Sequence, residues 1–226
     1  MQISTQYGFA FLCMPKCAST SIEIAINRFC NVHYSGNPKL KHINAEVFTK
    51  SILPVHQKLV PSAHIESICL MRDPLSWIES WYRYRSRDAL KNPSNPNHKN
   101  YTGNISYDEF IMEYISGGKR KSYADLLCQF DFLSIGNNQL GVDNIIPMNR
   151  IDLFEDFISD KLGSKFTVPH INSSPKKDLY LDSDLKERLQ KYFSKDIILY
   201  KFIEDNEKFN KSLHAKNISA ALQTKQ

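Results

Sequence analysis

A lysine standing directly before a run of small and hydroxyl-bearing residues is the first group in this chain that can hold an anion. In Pro15-Lys16-Cys17-Ala18-Ser19-Thr20-Ser21, Lys16 supplies a full positive charge. Small side chains let successive backbone N–H groups approach a phosphate or sulfate, and the hydroxyls of Thr20 and Ser21 can donate to its oxygens. A helix opening at Ser19 or Thr20, with either residue as its cap and Glu23 in the first turn, adds about half a positive charge at its N-terminus. The string is not a Walker A motif. It lacks Gly-x-x-x-x-Gly-Lys-Ser/Thr, and the lysine enters before the turn, so no Mg²⁺ ligand is evident and no metal is expected. Read alone, it is equally a helix following a strand, with Lys16 in solvent.

A second constellation lies at Leu70-Met71-Arg72-Asp73-Pro74-Leu75-Ser76-Trp77-Ile78-Glu79-Ser80-Trp81-Tyr82. Arg72, at the end of an apolar run, offers a guanidinium fork suited to bidentate phosphate binding. Asp73-Pro74 marks a helix start, proline being tolerated at the first position. Ser76 and Ser80 are i,i+4 neighbours that can share a face with the arginine. Without further context, Arg-Asp-Pro is also a helix entry with an internal ion pair.

Together, in this order and both at strand-to-helix junctions, the two strings resemble the binding motifs of the sulfotransferases that use 3′-phosphoadenosine-5′-phosphosulfate (PAPS). The first is similar to the loop that takes the 5′-phosphosulfate, and especially to that of Golgi-type carbohydrate 2-O-sulfotransferases, which carry threonine where this chain has Cys17. The resemblance implies that Lys16, Cys17, Ala18, Ser19, Thr20 and Ser21 hold the 5′-phosphosulfate, and that Arg72 and Ser80 hold the 3′-phosphate. Trp77 departs from the pattern, since many members have a basic residue there. The segment Val168–Lys177 resembles the stretch that covers the nucleotide in the family, which makes Ser174 and Lys176 further contact candidates; read alone, it is equally a solvated loop. Arg150 and Asp152 stand where relatives carry an arginine followed by an acidic residue, read here as a structural ion pair. The likeness runs from about Tyr7 to Asp205 and is loose outside the two motifs.

Transfer to a hydroxyl needs a base, and histidine suits neutral pH. Of the seven histidines (His33, His42, His56, His64, His98, His170 and His214), His42 resembles the one that carbohydrate 2-O-sulfotransferases place before a helix upstream of Arg-Asp-Pro and use as base. His33 and His56 are the nearest substitutes, and a histidine bonding locally at a helix start is the alternative. The implied reaction is an in-line displacement, with Lys16 and the loop N–H groups stabilising developing charge. Cys17 invites a nucleophile reading, because a helix N-terminus lowers a thiol pKa, but it matches a non-nucleophilic threonine in the relatives.

The elements that must position these groups are visible as alternating patterns. Tyr7–Met14 and Ile65–Met71 are short apolar runs stopped by breakers, read as buried strands. Helical patterns follow each, with Ile22, Ile26 and Phe29 on one face of the first and Leu75 to about Arg87 forming the second. Further helices are expected near Asn44–Leu53, Tyr107–Ser116, Tyr123–Phe130, Asp152–Leu162, Ser183–Phe193 and Asp196–Phe209, with a short strand at Asn144–Met148. Strands alternating with helices predict an α/β fold with a parallel sheet, whose ligands bind beyond the carboxyl ends of its strands. The resemblance implies the P-loop-like sulfotransferase version, a central parallel sheet with helices on both faces. Asp88–Gly103, rich in asparagine and proline, reads as a long loop of a kind that is often functional or mobile. Residues 1–211 read as one domain, and 212–226 as a polar tail free to fray.

Bulk properties narrow the class. A chain of 226 residues with 42% hydrophobic and 23% charged residues is globular in composition. A formal charge of +5 suits an anionic ligand and is too diffuse to indicate nucleic acid. Five cysteines without a Cys-x-x-Cys pair argue against a disulfide framework or a zinc site and for a reducing compartment. With no leader-like segment and no membrane-length apolar stretch, a cytoplasmic location is expected, an excised catalytic domain of a Golgi-type enzyme being the alternative. The expected partners are PAPS, its product 3′,5′-adenosine bisphosphate, and a hydroxyl acceptor, most simply a sugar. Aromatics at Trp77, Trp81, Tyr82 and Tyr84, with Arg83, Arg85 and Arg87, can line a groove for an anionic glycan. Two rivals are a P-loop nucleotide kinase, which needs the missing Walker lysine and Mg²⁺ ligand, and a nucleotide- or glycan-binding module without a working base.

Overall fold

The computed structural model describes residues 1–136, 139–169 and 179–223. Strand β1 (Gln2–Ser4) turns back into β2 (Phe9–Phe11), pairing Gln2 with Phe11 and Ser4 with Phe9. Gly8 closes this turn at φ +68°, and a β-carbon there would stand 2.6 Å from the His64 carbonyl oxygen, so only glycine fits. Helix α1 (Ser19–Ile26) follows β2, and β3 (Val32–His33) adds to the far side of β1.

Helices α2 (Pro38–Lys41), α3 (Ala45–Val47) and α4 (Leu53–Leu59) come next, the last two joined by a π-helical stretch at Phe48–Ile52. Pro54 explains the π turn: it has no N–H for the helical ladder, and its ring clashes with the carbonyl four residues back. Strand β4 (Glu66–Met71) leads into α5 (Pro74–Arg85), and α6 (Tyr107–Tyr114) opens with a capping box between Ser106 and Glu109. Beyond it lie α7 (Gln129–Leu133), the pair β5 (Ser134–Ile135) and β6 (Gln139–Leu140), and β7 (Asn144–Pro147). Helices α8 (Ile151–Leu162), α9 (Ser183–Tyr192) and α10 (Ser194–Asp205), strand β8 (Phe209–Asn210) and helix α11 (Lys211–Gln223) complete the chain.

The main sheet has six strands in the order β3-β1-β2-β4-β7-β8. Its centre, β2-β4-β7, is parallel, whereas β1, β3 and β8 pair antiparallel with their neighbours. The sheet is therefore mixed, a departure from the parallel sheet read from the alternation of elements. The reason is local: β1 reaches β2 through a tight turn, which can only return the chain antiparallel. Every residue of β2, and of β4 after Glu66, is buried. Successive side chains point to opposite faces, so both faces of the sheet's centre are covered.

Three other expectations shift. No helix spans Tyr123–Phe130; α7 begins only at Gln129. Arginine side chains take the carbonyls upstream, Arg85 that of Ser122 at 2.6 Å and Arg120 that of Leu126 at 3.0 Å. Residues from Ser212, read as a fraying tail, form most of α11, which buries Ile218 and Leu222. The polar stretch after α5 is organised by short 3₁₀ turns at Asp88–Leu90 and His98–Asn100, and by Asn92 and Asn95 side chains accepting from Ser94 and Asn97 N–H groups. Across the sheet's centre, the loops after β2, β4 and β7 gather at one end, Met148 N–H donating to the Met71 carbonyl at 2.7 Å.

Candidate anion-binding site

The loop between β2 and α1 is strained at residues that are not glycine. Lys16 sits at φ 65° and Ala18 at φ 54°, each costing about 1–2 kcal/mol for an L-residue. Strain of this kind persists only where surroundings over-determine it, and it clusters at ligand clamps. Left-handed and right-handed residues in succession are a backbone arrangement whose N–H groups can converge on an anion. Ala18 is the N-cap of α1, with no side-chain cap bond. Neither Ser19 nor Thr20 caps the helix, contrary to expectation, because a side-chain cap needs an extended backbone and the chain arrives left-handed. Among the described residues, the N-cap side chain therefore takes none of the first N–H groups of α1.

Two side chains from elsewhere hold the loop. The indole N–H of Trp77 donates to the Pro15 carbonyl at 3.0 Å, and the thiol of Cys17 donates to Oε1 of Gln129 at 3.4 Å. Trp77, the departure from the sulfotransferase pattern, is 1% exposed and acts as a brace.

The charges above the loop crowd together. Lys16 Nζ lies 4.4 Å from the centroid of the Tyr84 ring and 5.9 Å from that of Trp81, while Arg87 Cζ lies 4.9 Å from the same Tyr84 ring. Among the described residues, no carboxylate forms an ion pair with Lys16, Arg72 or Arg87. Burial first, then repulsion from Arg87 and Arg72, pulls the Lys16 ammonium down to about 8. Like charges gathered on one aromatic ring, with no carboxylate paired to them among the described residues, make a place where an anion relieves repulsion.

Arg72 is fixed through its backbone. Its N–H donates to Oε1 of Gln129 at 2.9 Å, and its carbonyl accepts from Nε2 of the same amide at 2.8 Å. Gln129 is wholly buried, and sequence reasoning missed it. The available signal was a lone amide inside the apolar run Leu126-Leu127-Cys128-Gln129-Phe130. Asp73 caps α5 by accepting from Ser76 N–H at 2.8 Å, and Pro74 is the first helical residue. Ser80 is half-buried two turns along, on the stripe beside Trp77, Trp81 and Tyr84.

His42 is tied to the same loop. Its Nδ1 lies 2.6 Å from the Cys13 carbonyl oxygen, so Nδ1 carries the proton and Nε2 keeps a lone pair. Nε2 has no hydrogen-bond partner among the described residues. Burial lowers the imidazole from its ordinary 6.5, with the bond to Cys13 opposing, so it is neutral at pH 7 and able to accept a proton. The preceding Lys41 pairs with Glu23 at 2.7 Å and donates to the Thr20 hydroxyl at 3.3 Å, leaving the hydroxyl's own proton for a ligand. By contrast, His33 is exposed and bonds the Cys30 carbonyl, and His56 lies 3.5 Å from the Tyr34 hydroxyl.

Cys17 is no nucleophile: burial pushes its thiol up to about 12, overriding the helix N-terminus. The expected aromatic groove is largely internal, since Trp77 and Arg85 are buried and the Tyr82 hydroxyl donates to the Ile105 carbonyl. Trp81, Tyr84 and Arg87 remain at the site. Arg150 pairs with Asp152 at 2.8 Å. Ser174 and Lys176 lie outside the described residues. Among the described residues no cluster of His, Cys, Asp and Glu could hold a metal, and no helix is long and apolar enough to cross a membrane. Compared with protein-family models, curated proteins and solved structures, the chain matches none.

Proposed function

We propose that this chain is a sulfotransferase that moves the sulfuryl group of PAPS to a hydroxyl, most simply of a sugar, on a P-loop-like sulfotransferase fold. The observation that carries the reading is the crowding of Lys16 and Arg87 on Tyr84, unpaired by any carboxylate among the described residues, over a loop strained at Lys16 and Ala18. The residues fit the nucleotide: Lys16 and the N–H groups from Cys17 to Ser21 suit a 5′-phosphosulfate, and Arg72 with Ser80 a 3′-phosphate.

PAPS, when bound, supplies an activated sulfuryl group on a phosphate leaving group. Nε2 of His42 takes the acceptor hydroxyl's proton as that oxygen bonds to sulfur and the bond from sulfur to the bridging oxygen breaks. The electron pair leaves with 3′,5′-adenosine bisphosphate, and Lys16 and the loop N–H groups stabilise the charge gathering there. Holding the reactants in line contributes much of the acceleration.

The test is thermal unfolding with 3′,5′-adenosine bisphosphate against 5′-AMP and Mg-ATP. At 100 times Kd a ligand stabilises by about 2.7 kcal/mol, a rise in Tm of roughly 5–10 °C for a domain this size. A rise confined to the 3′-phosphorylated nucleotide and lost in Arg72→Ala supports the reading. No selective rise, or a larger one with Mg-ATP, overturns it. Nucleotide binding without turnover by the wild type on any hydroxyl acceptor would instead mark a binding module.

A further inference from the structure

The loop after β2 and the loop after β4 come from separate strand–helix units, yet one buried amide satisfies both. Gln129 accepts from Arg72 N–H at 2.9 Å and from the Cys17 thiol at 3.4 Å on the same Oε1, and donates from Nε2 to the Arg72 carbonyl at 2.8 Å. With no exposure to solvent, this amide finds no substitute partner in water, so its geometry is decided by those groups alone. The short helix that carries it is anchored in turn. Asp196 on α10 accepts from Phe130 N–H at 2.9 Å, next to Gln129. The Phe193 ring, at the junction of α9 and α10, packs edge-on against Trp77, and Trp77 reaches back to Pro15. The frame closes on itself: Cys17 to Gln129 to Arg72 on one side, and Pro15 to Trp77 on the other.

We propose that Gln129 is the positioning residue that sets the spacing between the two anion-binding loops, so that they take the two ends of one nucleotide as a coupled unit. The proposal rests on the sulfotransferase reading and adds to it the group that makes two half-sites into one. Gln129, wholly buried, does not itself contact the nucleotide. It acts through the backbone of Arg72 and the side chain of Cys17, aiming the guanidinium and the loop N–H groups at a fixed separation.

The test measures affinities for 3′,5′-adenosine bisphosphate and 5′-AMP in wild type and Gln129→Met, which keeps the side chain's length and loses its hydrogen bonds. The ratio of the two affinities should fall by about tenfold or more, because the 3′-phosphate is what a misplaced Arg72 loses. General destabilisation weakens both nucleotides and leaves the ratio alone. In Arg72→Ala, adding Gln129→Met should change that ratio little further, since the amide acts through the arginine. A ratio within twofold of wild type in a folded Gln129→Met protein, or independent losses in the double variant, overturns the proposal while leaving the nucleotide assignment intact. A wild type with no preference for the 3′-phosphate removes the sulfotransferase reading and the coupling together. Should Gln129→Met fail to fold, the cycle of Lys16→Ala and Arg72→Ala on 3′,5′-adenosine bisphosphate decides: coupled half-sites give a double loss smaller than the product of the single losses, and losses that multiply sink the idea.

Discussion

The indole N–H of Trp77 donates to the backbone carbonyl of Pro15 at 3.0 Å, across sixty-two positions of sequence. Pro15 immediately precedes the left-handed Lys16, so the bond acts where the loop most needs support. Trp77→Phe keeps an aromatic ring to pack against Trp81 and Phe193 and leaves the carbonyl without its donor. The variant should lose about 1–3 kcal/mol of stability and bind 3′,5′-adenosine bisphosphate more weakly. Urea denaturation and a nucleotide titration check both, and unchanged values in each would show that the bond supports nothing.

In the proposed reaction Lys16 holds the anion, and without one it is repelled by Arg87 and Arg72. Removing its charge in Lys16→Ala should cut turnover on the order of 100-fold or more. Stability without nucleotide should hold or rise, because repulsion with Arg87 and Arg72 disappears. Near-normal turnover would take Lys16 out of the reaction, and a large loss of nucleotide-free stability would contradict the crowding.

The pH profile should be bell-shaped. His42 must be neutral to accept a proton, and its pKa is lowered from 6.5, so kcat/KM falls only on the acid side of that value. Lys16 must be charged to hold the anion and loses its proton near 8, so kcat/KM falls again as pH rises through 8. Arg87→Ala removes one source of repulsion and should move the alkaline limb upward. An alkaline limb that stays in place in that variant would dissociate Lys16 from it.

Asp196 places a fully buried carboxyl beneath α7, and burial lifts it to about 7. An unfolded aspartate titrates near 3.9. Between those values the folded state binds the extra proton, so stability declines as pH rises from about 4 to 7 and levels off above. Asp196→Asn, whose amide oxygen can still accept from Phe130 N–H, should flatten that decline, which is worth up to a few kcal/mol. Thermal melts of both proteins from pH 4 to 8 measure it, and parallel curves would relocate the titration to another group.

The strand–loop–helix units, the cation at Lys16 and the arginine at the Asp73-Pro74 helix entry were legible because each is a local matter. Apolar runs of strand length stop at Pro15 and at Arg72-Asp73-Pro74, and the residues that follow repeat at helical spacing. What surrounds them was not legible. Gln129 meets Arg72 over 57 positions, Cys17 meets Gln129 over 112, and His42 meets Cys13 over 29. No periodicity encodes such partners, since each is chosen by which buried donor or acceptor would otherwise go unpaired. The missing cap of α1 has the same origin: Ser19 and Thr20 have the right chemistry, but a backbone braced left-handed by Trp77 and Gln129 brings Ala18 to the cap position. Residue type and short spacing determined which groups have the chemistry to hold an anion, and tertiary packing decided how far apart, how strained and how charged they stand.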